Sequence, residues 1–146
     1  IQKITSISAS IASTTFNDLY KNIDGKLALF DSRVFTIPEW TEVENYFIWR
    51  QQDATRNSIQ MVAQSLYSQK ELHGKNTSEL QEMIFQKGQN WNNIDAGKKR
   101  GRCITKVKID VSSDINNPII RTLWTTEDPP VFTQERDFIK KKAFGE

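Results

Sequence analysis

The spacing of apolar residues along the chain predicts three helices. In each of them apolar side chains recur at steps of three and four, which places them on one helix face. The predicted ranges are Gln2–Lys21, Thr41 to about Gln69, and a shorter helix that begins at the cap residues Asn76, Thr77 and Ser78 and stops at Gly88. Thr41 and Glu44 fit a capping box at the start of the long helix. Leu80, Met83 and Ile84 form the apolar stripe of the short one.

Three other stretches have the β-branched and aromatic residues of strands. They are Leu27–Ile37, Cys103–Val111 and Ile119–Thr126. Pro38 ends the first, because proline cannot donate a ladder hydrogen bond, and Asp24-Gly25 predicts a turn before it. Residues 112–118 are rich in turn formers, so the last two strands are predicted to pair as a hairpin. The residues from Phe132 to Phe144 are expected to form a basic, aromatic tail.

The long helix has an unusual polar face. Arg50, Asp53, Asn57, Gln60 and Gln64 follow one another at steps of three and four, roughly opposite a core face. That core face contains Ile48, Ile59, Val62 and Leu66. Arginine, aspartate and amide side chains hydrogen-bond in defined geometries, unlike the lysines and glutamates of most solvated faces. Two interpretations stay open: an ion-paired surface helix, or a face that holds a nucleic acid or an adjoining domain.

Composition narrows the classes of protein. The chain has 146 residues, 37 % hydrophobic and 26 % charged, with a net charge of +2, typical of a soluble globular domain or a domain plus part of another. A single cysteine, Cys103, excludes an intrachain disulfide and is typical of a reducing compartment. No apolar run reaches the length of a membrane span. The chain begins at Ile1 directly in a helical pattern, so we expect an internal fragment.

The sequence lacks the residue combinations that most catalytic and metal-binding sites require. One cysteine and one histidine cannot form a zinc site, and His73 in a polar connector is predicted to be an ordinary exposed histidine. There is no phosphate-binding G-x-x-x-x-G-K-[ST] loop. Asp31 could hold Mg²⁺, but no second carboxylate stands at a characteristic spacing. Asp31 is therefore interpreted with Arg33 as a turn or an ion pair.

A basic cluster gives a stronger functional signal. It consists of Lys98, Lys99, Arg100 and Arg102 at a predicted loop-to-strand junction, and it follows the segment QNWNNID. Cations bind phosphates, while aromatic and amide groups stack on nucleotides or hydrogen-bond to them. The asparagines around Trp91 could instead hydrogen-bond their own backbone, and the cluster could be a solvated charge run. Both interpretations of the cluster remain open from the residues alone.

Several ordered motifs resemble the tRNA-His guanylyltransferase family. Trp49-Arg50-Gln51 with Asp53 matches its WRQ-x-D motif, and LALFDSRVFTIP is similar to its FDGRV-x-x-x-P strand. Further matches are Glu82 and Phe85 to its E-x-x-F helix, Asn90, Asn92 and Asn93 to its N-[YW]-N-N loop, and Arg100-Gly101 to its basic residue and glycine. The order and spacing hold across most of the chain. The closer resemblance is to the bacterial and archaeal-type guanylyltransferase-like branch.

The chain departs from the family at two places. Eukaryotic members carry HINNLYN after WRQ-x-D, where this chain has TRNSIQM and keeps only Asn57. That difference is a feature of the guanylyltransferase-like branch, whose members resemble template-dependent 3′-to-5′ polymerases that repair tRNA 5′ ends. The basic residue before E-x-x-F is replaced by Leu80. Contacts that the family makes from these positions cannot be transferred to this chain.

The resemblance implies an α+β fold that forms the C-terminal half of the family's architecture. Residues 1–38 would be the end of a polymerase-palm-like domain, with a helix and a strand. Residues 39–146 would be a helical, fingers-like domain with a β-hairpin. The family's metal-binding motifs, R-L-D-G-R and S-D-E-like, are absent here, and FDSR at Phe30–Arg33 matches the later strand. The resemblance therefore assigns no catalytic residue and no metal ligand to this chain.

The function implied is tRNA 5′-end nucleotide addition that depends on Mg²⁺ bound by a missing N-terminal half. ATP and GTP are the implied substrates, tRNA the partner, the cytoplasm the location and a homotetramer the full-length assembly. Arg50, Gln51, Asp53 and Asn57 would position the nucleotide or RNA end. The tRNA contacts would come from Asn90, Asn92, Asn93, Lys98, Lys99, Arg100 and Arg102. The alternatives are a stand-alone, non-catalytic RNA-binding module and a structural interaction domain.

Overall fold

The computed structural model describes residues 1–20, 25–112 and 119–145, and the chain divides into two compact units, Ile1–Pro38 and Glu39–Glu146. Along the chain the helices are α1 (Gln2–Tyr20), α2 (Trp40–Leu66), α3 (Gln69–Leu72), α4 (Thr77–Gln86), α5 (Ala96–Arg100) and α6 (Asp137–Phe144). The strands are β1 (Cys103–Asp110) and β2 (Ile120–Glu127). This mixture of helices and a small antiparallel sheet confirms the predicted α+β class. The assignment of the units to palm and fingers stays a prediction.

The unit Ile1–Pro38 joins α1 to a segment without regular secondary structure. Asn17 Nδ2 donates to the carbonyl of Ala28 at 2.9 Å, and Asn17 Oδ1 accepts from the Ala28 N–H at 3.0 Å. Ser13 Oγ accepts from the Phe30 N–H at 3.1 Å. The predicted helix is confirmed as far as Tyr20, but the strand predicted over Leu27–Ile37 is wrong. A strand needs a second strand to pair with, and the described part of this unit contains none. The turn predicted at Asp24 lies outside the described residues.

Helix α2 begins and ends differently from its prediction. Glu39 is its N-cap without a side-chain capping bond, and Glu44 Oε1 instead accepts from Trp40 Nε1 at 2.8 Å. The capping box predicted for Thr41 and Glu44 is therefore wrong. The helix stops at Leu66, because Tyr67 turns to an extended conformation and its hydroxyl donates to the carbonyl of Met83 at 2.7 Å.

The core of the second unit lies between α2 and α4. Ile59, Ala63, Leu80 and Ile84 form its buried centre. Val62, Leu66, Leu72, Met83 and Trp91 pack around that centre. Asn76 caps the start of α4, as one of the three predicted cap residues, and it forms a capping box with Glu79, whose N–H donates to Asn76 Oδ1 at 3.0 Å. Its end at Gly88 is confirmed as well, since Gly88 has a φ of 78° that favours glycine.

Strands β1 and β2 pair antiparallel, in register from Cys103 opposite Glu127 to Asp110 opposite Ile120. This confirms the two strands, while 113–118 of the predicted turn lies outside the described residues. The segment predicted as a tail contains α6. Ile139 of α6 is buried, and Phe144 packs on Trp40 in a tilted arrangement with ring centroids 4.9 Å apart.

Candidate functional site between α2 and α5

Asp53 is the centre of the polar face of α2. Its carboxylate accepts hydrogen bonds from Arg56 and from Asn57, whose Nδ2 lies at 3.3 Å, and Arg50 Nη1 lies 3.8 Å from it. Residues three and four apart share a helix face, which brings these four together. The Asp53 side chain is 20 % exposed, whereas both arginines are more than half exposed. Asp53 therefore orients two cations that remain accessible to another anion.

Gln51 was predicted to act with Arg50, Asp53 and Asn57, but the structure does not place it with them. It is 7 % exposed, its Nε2 donates to the carbonyl of Pro130 at 2.8 Å, and its Oε1 accepts from the Phe132 N–H at 2.9 Å. Both ends of its amide are thus bound within the protein. Gln51 fastens the segment after β2 to α2.

The loop of asparagines around Trp91 is held against α2 by the indole of Trp91. Trp91 Nε1 donates to Ser58 Oγ at 3.0 Å, and Ser58 is buried on α2. Asn90 Oδ1 accepts from the Asn92 N–H at 2.9 Å and so caps the single 3₁₀ turn Trp91–Asn93. Asn90 therefore bonds its own backbone, one of the two possibilities for this loop. Asn92 and Asn93 are exposed.

The basic cluster begins on a helix and not at a loop-to-strand junction. Lys98, Lys99 and Arg100 end α5, and Arg102 follows it. Lys99 Nζ donates to the carbonyl of Asn92 at 2.8 Å and lies 5.3 Å from the centre of the Trp91 ring. Arg102 pairs with Asp95 at 3.0 Å, and Lys98 is exposed.

The cluster is joined to α2 through the backbone of Lys99. Its carbonyl accepts from Thr55 Oγ1 at 3.3 Å. This bond, together with the bond between Trp91 and Ser58, holds the loop and α5 against the same turns of α2. The structure thus brings the asparagine loop and the basic cluster together beside the helix that carries Asp53.

A cavity of about 390 Å³ lies between α2, α5 and residues 131–133. Arg56 and Arg100 line it, together with Trp91 and the hydroxyl-bearing Thr55 and Thr133. The Nε–H of Arg100 is buried and has no hydrogen-bond partner among the described residues. A buried donor without a partner is costly. The two guanidinium groups and the Thr133 hydroxyl can donate to a phosphate or another oxygen-rich anion, whereas Thr55 and Trp91 already donate within the protein.

Sequence reasoning missed Thr55 and Arg56 as part of this site. Both lie where the family's histidine-containing motif is replaced, so no family contact pointed to them. The signal available was local: Arg56 stands three residues after Asp53, the spacing of a helical ion pair. Their approach to Arg100 depends on tertiary packing.

The polar face of α2 divides along its length. Gln60 and Gln64 line a different cavity of about 310 Å³, together with Leu72 and His73. His73 is exposed, as predicted. Only the first part of the face, from Arg50 to Asn57, belongs to the candidate site.

The described residues do not form a metal site. They contain no group of three histidine, cysteine, aspartate or glutamate side chains close enough to hold an ion. Asp31 pairs with Arg33 at 2.9 Å, which confirms the predicted ion pair. Burial, with a further effect of Glu127, raises the pKa of the Cys103 thiol and disfavours a reactive thiolate.

Comparisons with solved structures find proteins of the predicted kind. A bacterial tRNA(His) guanylyltransferase-like protein in complex with ATP superposes with a TM-score of 0.78 and 36 % identity. A second structure, of such a protein in complex with GTP, gives 0.73 and 35 %. Both matches cover 99 % of this chain. The resemblance to bacterial guanylyltransferase-like proteins, inferred from the motifs, is confirmed.

The chain spans 56–58 % of the length of these two structures. Comparisons with protein-family models and with curated proteins find no match. Within the described residues, no helix combines the length and the apolar character needed to cross a membrane.

Proposed function

We propose that this chain is the C-terminal half of a Mg²⁺-dependent tRNA 5′-end nucleotidyltransferase that adds nucleotides in the 3′-to-5′ direction. The chain would bind tRNA and position its 5′ end. Ile1–Pro38 would end a palm-like domain, and Glu39–Glu146 would be the fingers-like domain. One observation carries the proposal: Arg100, whose Nε–H is buried without a partner among the described residues, lines a cavity together with Arg56, in a chain similar throughout to guanylyltransferase-like proteins.

The proposed positioning residues are Arg50, Asp53 and Asn57, with Arg56 added from the structure. Asp53 holds both arginines by ion pairs, which reduces the rotamer freedom that they would lose on binding a triphosphate or an RNA end. Arginine binds phosphate oxygens through two parallel donors, so a pre-oriented arginine favours one geometry. ATP and GTP are the proposed substrates, since they are the ligands of the two similar structures.

The proposed contacts to tRNA come from the loop and the basic cluster. Asn92, Asn93 and Lys98 are exposed and would contact phosphate or sugar groups. Lys99 and Arg102 have partners in the free protein, so part of their effect would be to shape the surface. Asn90 would act through its cap of the 3₁₀ turn.

Magnesium ions would be held outside this chain. The described residues supply no suitable carboxylate group, so no step of nucleotide addition is assigned to them. We propose that the metal-binding carboxylates belong to the part of the similar proteins that this chain does not span. The homotetramer and the cytoplasmic location expected for the whole enzyme are part of the same proposal.

Binding of tRNA at several salt concentrations tests the role of the site. Arg100→Ala should weaken binding and reduce the slope of log affinity against log salt by about 1, as expected for a lost phosphate contact. Lys70→Ala, an exposed lysine on α3, is the matched control. An Arg100→Ala variant that is folded and keeps both affinity and slope would remove Arg100 from the proposal.

Nucleotide addition to a 5′-truncated tRNA tests the division of the enzyme. With Mg²⁺ and ATP or GTP, the 146-residue chain alone should add no nucleotide. Robust addition by this chain would contradict the location proposed for the metal ions.

A stand-alone RNA-binding module is the second candidate. It is favoured by a basic cluster that is held in position within this chain and requires no metal. The coding sequence upstream of Ile1 discriminates the two. R-L-D-G-R and S-D-E-like motifs there would support the enzyme, and a start codon close to Ile1 would support the module.

A further inference from the structure

A second basic and aromatic surface lies away from Arg100, between the hairpin and α6. It is a groove of about 700 Å³. Lys106 and Trp124, which are directly opposite each other in the strand register, form one wall. Phe138, Lys141 and Lys142 of α6 form the other. Because residues opposite each other in a ladder share a face of the sheet, the lysine and the indole face the groove together.

The groove is positively charged. Three lysines line it, and no carboxylate among the described residues does. Lys142 is paired with Glu127, so its charge is partly neutralised. Lys106 and Lys141 have no ion-pair partner in the part of the chain that the structure describes. Two uncompensated cations in one groove favour a polyanionic ligand.

The aromatic side chains give the groove a second property. Trp124 is 63 % exposed, unusual for so large an apolar side chain, and Lys106 Nζ lies 4.9 Å from its ring centre. Phe138 is half-buried and stacks on Phe132 with ring centroids 5.8 Å apart. Cations beside exposed aromatic rings are typical of surfaces that bind single-stranded nucleic acid, where bases stack on rings and phosphates contact lysines.

The walls of the groove are held by contacts within the protein. Ile139 is buried beneath α6, Phe144 packs on Trp40, and the ion pair between Lys142 and Glu127 joins α6 to β2. The groove therefore exists in the free protein. A ligand would not have to pay for its assembly.

We infer that this groove binds an unpaired segment of RNA, with a base stacked on Trp124 and phosphates against Lys106 and Lys141. The inference rests on the proposed function insofar as the RNA is the same substrate tRNA, which would then contact two separate surfaces. The Arg100 cavity would hold one part of the RNA and the groove an unpaired part elsewhere in it.

Binding of a short oligouridylate to the 146-residue chain, followed by fluorescence anisotropy, tests the groove directly. Trp124→Ala should weaken binding about 5- to 150-fold, the range for loss of one base stack, and Trp124→Phe should restore most of it. Lys106→Gln with Lys141→Gln should lower the salt slope by about 0.7 for each lysine. Lys70→Gln on α3 is the matched control and should change neither. Circular dichroism of each variant confirms that it is folded.

The outcomes separate this inference from the proposed function. Loss of tRNA binding in Arg100→Ala, with unchanged oligouridylate and tRNA binding in the groove variants, would overturn the groove and leave the proposed function standing. Loss of oligouridylate binding in the groove variants, with Arg100→Ala inert towards tRNA, would do the reverse. Equal weakening for duplex and single-stranded RNA would overturn base stacking. Preference for an oligoglutamate peptide over RNA would assign the groove to a protein partner and overturn the inference.

Discussion

The α2–α4 pair and the β1–β2 hairpin belong to the same unit, but they are stabilised differently. In the helix pair Ile59, Ala63, Leu80 and Ile84 are at most 5 % exposed. In the hairpin no residue is buried, and the strands are joined by their ladder of hydrogen bonds. Apolar burial stabilises the helix pair, whereas an isolated two-stranded hairpin is only marginally stable in water.

The α2–α4 pair therefore serves as the scaffold of the unit, whereas the hairpin mainly presents a surface. The candidate site between α2 and α5 is attached to the buried pair, because Trp91 bonds to Ser58 and packs on the core. A change in that core should disturb the site through the stability of the fold. The hairpin exposes most of its side chains, so a change there should act on a ligand and hardly on the fold.

The largest effect is expected from Ile84→Ala. Ile84 is fully buried, and the lost contacts and the cavity should lower the free energy of unfolding by about 2–5 kcal/mol. Urea unfolding measures it. Phe85→Ala, on the next residue of α4 at 62 % exposed, should change it by no more than about 0.5 kcal/mol. Equal losses in the two variants would mean that burial does not distinguish these neighbours.

A smaller effect is expected from Gln51→Ala. The change leaves the carbonyl of Pro130 and the N–H of Phe132 without their partner, at a cost of about 1–3 kcal/mol. Thermal unfolding and hydrogen exchange at the Phe132 amide measure it. Gln52→Ala, at the exposed neighbouring position, serves as the control. Unchanged exchange at Phe132 would contradict the role of Gln51 as a fastener.

Removing a helix cap should lower the free energy of unfolding by somewhat less than Gln51→Ala does. Asn76→Ala removes the cap of α4 and should cost about 0.5–2 kcal/mol. Thr41→Ala at the start of α2 should cost little, because no side chain caps that end. A comparable loss in both variants, measured by urea unfolding, would indicate that the capping box expected at Thr41 forms after all.

Within the hairpin, the pair of Lys106 and Trp124 should contribute about 0.5–1 kcal/mol as a cation–π contact. A double-mutant cycle with Lys106→Met and Trp124→Leu isolates that coupling energy. Lys108 and Thr122, the next pair on the same face, provide the matched cycle and should show no coupling. Equal coupling in both cycles would attribute the energy to the strand ladder.

The smallest effect is expected on the stability of the protein at acidic pH. Hydrogen bonds from the backbone of Asn76, and then from Lys75, hold the pKa of Glu79 below its ordinary value. A carboxyl whose pKa is lower when folded stabilises the protein above its unfolded pKa, and that stabilisation is lost as the pH falls through the folded pKa. Glu79→Gln should therefore flatten the fall in unfolding free energy below about pH 4.3. An unchanged slope would exclude Glu79 as a contributor.

Local patterns were sufficient for most elements of the fold. The cap residues from Asn76, the stop at Gly88, the apolar stripe of α4 and the alternation in β1 each predicted an element that the structure contains. These signals act over a few neighbouring residues, so they need no knowledge of distant parts of the chain. The motif order also predicted the resemblance that the solved structures confirm.

Predictions that depended on a distant partner were less successful. Leu27–Ile37 has strand composition, but the described part of its unit offers no strand to pair with, and Ser13 and Asn17 bond to Ala28 and Phe30 instead. Thr41 and Glu44 have the spacing of a cap, but Trp40 takes the carboxylate of Glu44. In both cases a side-chain contact that the pattern does not encode decided the outcome.

The sequence by itself determined the α+β class, the pairing partners of the hairpin, the polar face of α2 and the family resemblance, because short-range spacing and ordered motifs encode them. Only the tertiary structure decided which polar residues meet. It turned Gln51 inwards to Pro130, divided the α2 face at Asn57, and brought Arg56 to the cavity of Arg100. The physical reason is that a buried donor or acceptor must find its partner in space, and sequence spacing does not reveal who that partner is.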